Sequence, residues 1–172
     1  MGNPMVQTVI MGVVNISFTL VAVFTVEKLG RKPLLILGSI GMAVGALGVA
    51  LTFGNAALST VTMISIMVYS ASFMFSWGPI AWVLIAELFP NTIRGAAVAI
   101  AVAFQWIFNF IVSSTFVPMF NMHLTPGDDF GHWFTYGLYG VICILAAIFV
   151  WKLVPETKGK TLEDMSKLWR KE

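Results

Sequence analysis

The main carboxamides within otherwise apolar runs of this sequence are Asn15, and the pair Gln105 and Asn109 four residues apart. An amide taken out of water costs free energy unless it is paired. Each therefore bonds a neighbouring helix or is held for a polar ligand. Trp82, a few residues after Gly78-Pro79, sets an indole near them. Such groups bind; they do not make or break bonds. Amides donate to and accept from hydroxyls, and an aromatic face takes the C–H face of a ring, so together they suit a neutral sugar. The competing reading is amide pairing between helices with Trp82 simply packed. Spacing alone leaves both readings open.

Other chemistry finds little support. Cys143 is the single cysteine, which excludes an intramolecular disulfide and any CxxC site, and inside an apolar run it reads as a small buried hydrophobe. His123 and His132 stand near Asp128 and Asp129 without further ligands, so they read as solvated loop residues rather than a metal centre. No cofactor is expected.

These side chains must be positioned by membrane helices. Of the 172 residues, 58% are hydrophobic and 10% charged, far from a soluble composition. No charge falls in residues 1–26, 33–86, 95–127 or 130–151. A span needs about 20 apolar residues, and these gaps hold one, two, one and one of them. The expected spans are Pro4 to Val26, Pro33 to Phe53, Ser59 to Ala86, Ala96 to Met119 and Phe134 to Val154. Turn signals separate them: Gly30 with Pro33, Gly54-Asn55, Pro90-Asn91, and Pro126-Gly127-Asp128-Asp129. The fold class is thus all-α integral membrane, with residues 1–154 forming five transmembrane helices and 155–172 a tail. No room remains for a water-soluble catalytic domain, so an enzyme is not expected. A net charge of +2 does not suit nucleic acid.

Lys28, Arg31 and Lys32 in the first loop, Arg94 in the third and six basic residues from Lys152 onward place alternate loops on the cytoplasmic side. The N-terminus is then outside and the C-terminus cytoplasmic. An outside start without a signal sequence suggests that the chain is part of a larger protein. Asn15 lies 12 residues before Glu27 and Gln105 lies 11 after Arg94; both are about 16–18 Å from a charged end, near the bilayer midplane. In the third span, Pro79 frees the carbonyl of Phe75 and bends the helix. The second span, with Gly38, Gly41, Gly45 and Gly48, reads as a close-packing helix. In the tail, Thr161 and Asp164 form a capping box, and Leu162, Met165, Leu168 and Trp169 share a face of an amphipathic helix.

The punctuation resembles a known family. Glu27-Lys28-Leu29-Gly30-Arg31-Lys32 is similar to a loop of the major facilitator superfamily. Gly78-Pro79-Ile80-Ala81-Trp82, Glu87-Leu88-Phe89-Pro90 and Arg94-Gly95 look like the tenth helix and following loop of its sugar porter family. Pro155-Glu156-Thr157-Lys158-Gly159 resembles that family's signature after helix twelve. Gln105-Trp106 and Asn15 look most like the bacterial proton-coupled xylose symporters. The resemblance implies helices eight to twelve of a twelve-helix transporter in the inner (plasma) membrane. It implies that Trp82, Gln105 and Asn15 contact a xylose-like monosaccharide, with Trp106 and Asn109 nearby. Glu27, Arg31, Glu87, Arg94 and Glu156 would form a charge network that gates the cytoplasmic side. The partners would be the sugar, lipid, helices one to seven, and a proton taken by a carboxylate in the first helix. This chain would not transport alone. The rival reading is a membrane interaction protein that pairs with a separate half or with an intact transporter.

Overall fold

A computed structural model describes residues 4–124 and 129–159. Among them the secondary structure is helical: α1 (Pro4–Leu29), α2 (Arg31–Thr52), a short 3-10 turn (Ala56–Leu58), α3 (Ser59–Phe75), α4 (Trp77–Leu88), α5 (Asn91–Phe120) and α6 (Phe130–Leu153). Counting α3 and α4 together, five segments are long and apolar enough to cross a membrane. The expected spans are present, most with ends extended by a few residues. The tail helix expected over Thr161 to Trp169 lies outside the described residues.

The third span is two helices rather than one. The break falls at Ser76, whose backbone leaves helical geometry (φ −129°, ψ −83°). Helix α4 restarts with Ile80 N–H donating to the Ser76 carbonyl at 2.9 Å. Pro79 then sits in the first turn of α4, where the missing N–H would have had no helical partner. Pro33 occupies the corresponding place in α2.

Helix α2 is the centre of the bundle and packs chiefly on α3 and α6, while α1 packs on α3. Its glycine face allows this. A side chain at Gly38 would collide with Ser76, one at Gly41 with Ser72, and one at Gly45 would lie 2.7 Å from the Tyr69 backbone nitrogen. The serine-bearing face of α3 therefore lies directly on the α2 backbone, as the spacing of small residues suggested. Leu34, Leu35, Ile80, Leu84 and Val150 form one buried cluster at the end bearing Arg31. Met42, Ala43 and Cys143 form a second, with Trp77 against it. Helix α5, in contrast, buries none of its residues.

At the opposite end, His132 departs from the solvated-loop expectation. It lies in the first turn of α6 with its ring against Phe53 (centroids 4.5 Å apart) and Phe120 (4.2 Å). Its Nδ1 is 3.3 Å from Asp129 Oδ1, an ion-pair distance, although the alignment is not that of a hydrogen bond. The cause is local: α6 begins four residues earlier than expected, which winds His132 into the helix and against the ends of α2 and α5.

Candidate functional site

A cavity of about 220 Å³ lies between the α3–α4 pair and α5. Phe73, Trp77, Gly78, Ala81, Trp82 and Ile85 form one wall, and Ala101 and Gln105 the other. The spacing 73, 77, 81, 85 is one helix face, and it continues across the break at Ser76. On α5 the pair 101 and 105 does the same. The cavity thus brings together Trp82 and Gln105, an indole and an amide. Trp82 is 41% exposed, so its ring is open to a ligand.

The other expected contacts are placed differently. Asn15 on α1 lies across from α3, where Ser70 Oγ donates to its Oδ1 at 2.7 Å. Asn109 is exposed and accepts at 3.4 Å from Ser113 Oγ of its own helix. Trp106 is 68% exposed and does not line the cavity. Trp77 was not singled out from the sequence, yet it forms part of the wall. Its indole N–H donates to Ser39 Oγ at 2.8 Å, and Ser39 in turn donates to the Leu35 carbonyl. This chain of bonds holds the Trp77 ring in place against α2. The four-residue recurrence from Phe73 to Ile85 was the signal that could have found it.

A larger cavity of about 280 Å³ lies among α2, α3, α5 and α6, lined by Tyr69, Phe116, Tyr136, Tyr139 and aliphatic side chains. It holds no amide and its surface is almost wholly apolar. The only side-chain polar groups in its lining are the three Tyr hydroxyls. The smaller cavity is the one that joins an amide to an indole.

Helix ends meet in a charged cluster. Arg31 grips Glu87 with both arms, Nη2 to Oε1 at 2.6 Å and Nε to Oε2 at 3.0 Å, a bidentate geometry with directional strength. The same Glu87 accepts from Thr157 Oγ1 at 2.6 Å. Glu156 sits at the start of α2 and accepts from the backbone N–H groups of Arg31 (3.0 Å) and Lys32 (3.1 Å), and from Lys158 at 2.9 Å. A carboxylate here satisfies open N–H groups and opposes the positive end of the helix dipole. Burial alone would raise its pKa, but the backbone N–H groups of Lys158, Arg31, Lys32 and Thr157 outweigh it and hold the carboxyl below its usual range. Gly30 makes the approach possible: its φ is +94°, and a Cβ there would lie 2.7 Å from Glu156 Oε2. Lys158 Nζ donates to the Lys28 carbonyl at 2.5 Å, adding the end of α1.

Two of the expected gating charges stand apart from this cluster. Arg94 donates to the Phe89 carbonyl from Nε and Nη2, both at 3.3 Å, and so braces the turn between α4 and α5. Glu27 is exposed and joins no ion pair among the described residues. Thr157 is buried. It belongs to the Pro155 to Gly159 motif, where the sequence alone gives it no separate role.

The family described as Sugar (and other) transporter matches residues 1–169. The D-xylose-proton symporter of Escherichia coli K12 is 49% identical over 168 residues, covering 98% of this chain and 34% of the symporter. The glucose transport protein of a Synechocystis species is 44% identical over 169 residues, covering 92% of the chain and 35% of that relative. The solved structure of a proton:xylose symporter bound to 6-bromo-6-deoxy-D-glucose superposes with a TM-score of 0.86 at 49% identity, over 96% of this chain and 35% of that one. The chain thus spans about a third of the length of the relatives it matches. A match along nearly the whole sequence, and a shared fold with a half-identical symporter, mean that the chain belongs to the sugar transporter family of the major facilitator superfamily, a family of transporters and not of enzymes.

Proposed function

We propose that this chain supplies helices eight to twelve of a proton-coupled sugar transporter, and that D-xylose or a similar monosaccharide binds against Trp82 and Gln105. The observation that carries this reading is the cavity that joins those two residues across α4 and α5. The indole offers an apolar face and the amide both a donor and an acceptor, the pairing that a sugar ring requires. Asn15 contributes from α1, with Trp106 and Asn109 at the margin, where helices outside this chain would complete the site. The N-terminus is outside, the tail cytoplasmic, and the chain lies in the inner membrane.

Alternating access around a midplane site needs two halves. Helix α5 is long, apolar and unburied, as a helix would be whose neighbours lie outside this chain. The five helices alone therefore do not transport. No Asp or Glu lies at mid-depth in the described spans to take the coupling proton, so that group is assigned to the first helix of the complete transporter. The charged cluster of Arg31, Glu87 and Glu156 holds helix ends together in one state and releases them in the other.

The test is a hybrid in which this chain replaces the corresponding third of the Escherichia coli D-xylose-proton symporter. Xylose uptake into vesicles driven by an imposed proton gradient is the expected result, weakened by Trp82→Ala or Gln105→Ala at sugar concentrations below saturation. A hybrid that inserts in the membrane yet neither binds nor moves any monosaccharide would overturn the reading.

A further inference from the structure

Two helical serines of this chain return their hydroxyl to the carbonyl four residues earlier, Ser17 to Val13 and Ser39 to Leu35, both at 2.8 Å. That bond is always within reach of a serine on a helix. Ser70 is different. It donates instead across the α1–α3 interface to Asn15 Oδ1 at 2.7 Å. On α3, Ser70 stands three residues, about one turn, before Phe73 of the cavity wall.

This bond has a consequence for the amide. The two ends of an Asn side chain are nearly the same in shape and opposite in function: the oxygen accepts and the NH₂ donates. A half-turn about χ2 exchanges them. With Oδ1 committed to Ser70, the Nδ2 donors point away from that hydroxyl and are unused among the described residues. We propose that Ser70 is a positioning residue, which fixes the Asn15 amide so that it offers donors, and not an acceptor, to a sugar hydroxyl oxygen. The inference rests on the sugar-site reading above and adds a residue that acts through Asn15 without touching the sugar.

The experiment compares Ser70→Ala, Ser70→Thr, Asn15→Ala and the Ser70→Ala/Asn15→Ala pair in the hybrid symporter, with equilibrium sugar binding and transport kinetics measured together. Ser70→Ala should weaken binding about fivefold, the worth of one ordinary hydrogen bond, with the maximal rate unchanged. Ser70→Thr, which keeps the hydroxyl, should restore it. In the Asn15→Ala background, removing Ser70 should cost nothing more. Affinity unchanged by Ser70→Ala, or a further loss in that background, would overturn the role. A wild-type hybrid without sugar binding would instead count against the functional reading. In that case the Asn15 side-chain NH₂ resonances of the purified chain decide: a shift or exchange broadening on Ser70→Ala supports the fixed amide, and unmoved resonances refute it.

Discussion

Gln105 and Asn109 are one turn apart on the same helix, yet the structure gives them different work. Gln105 lines the cavity opposite Trp82, whereas Asn109 accepts a bond from Ser113 on its own helix. Gln105→Ala in the hybrid should therefore weaken sugar binding about fivefold or more, and Asn109→Ala less than twofold, as read by equilibrium binding. Equal losses would contradict the placement. Gly30 is a second test at this scale. A Cβ there would meet a left-handed backbone and the Glu156 carboxylate together. Gly30→Ala should cost about 1–2 kcal/mol from the backbone alone, seen as a lower unfolding temperature of the chain in detergent. The sequence singled out Trp82 and Gln105 by residue type and depth, and the two line one cavity. Trp77 and Ser70 were not singled out, because each matters through a partner, Ser39 or Asn15, on a different helix.

At the scale of elements, the start of α2 is held by a residue from beyond α6. Glu156 accepts from the first N–H groups of α2 while Glu87, at the end of α4, ties Arg31 to Thr157. The pH dependence follows from the lowered pKa of Glu156. A carboxyl held below its unfolded value adds stability that is fully present above about pH 4.3, the ordinary Glu value, and is lost as the pH falls through the folded pKa. Thermal unfolding should show this loss in acid, and Glu156→Gln should flatten that part of the curve. A profile identical to wild type would show that the carboxylate is not held as described. Arg31 and Arg94, similar in the sequence, also separate here. Arg31→Ala leaves Glu87 without its guanidinium partner and should change the transport rate of the hybrid more than its affinity. Arg94→Ala removes a brace on the turn after α4 and should act more weakly.

At the scale of the whole molecule, burial is uneven. The α2 helix is enclosed by α3 and α6, while α5 and most of α1 expose their apolar surfaces. Such surfaces require lipid or further helices. With Cys143→Ala as background, Ala56→Cys in the hybrid should react with a membrane-impermeant thiol reagent added outside intact cells, and Asn91→Cys should not. The reverse pattern would invert the proposed orientation.

Some of this was decided by the sequence by itself. Charge-free runs of membrane length, broken by Gly and Pro, require helices because a bare backbone polar group cannot be left in lipid. That constraint is local and one-dimensional, so the five spans could be read from the chain, whereas the break expected from Pro79 falls at Ser76. The motifs Glu27 to Lys32, Glu87 to Pro90 and Pro155 to Gly159 likewise pointed to the family. The tertiary structure decided which polar groups meet. Glu156 reaches Arg31 across more than a hundred residues, and Ser70 rather than another helical serine faces Asn15. It also turned His132 from an expected loop residue into a ring between Phe53 and Phe120. Pairings of this kind depend on helix rotation and crossing, which the packing of glycine on serine between α2 and α3 sets, and no spacing within one helix encodes them.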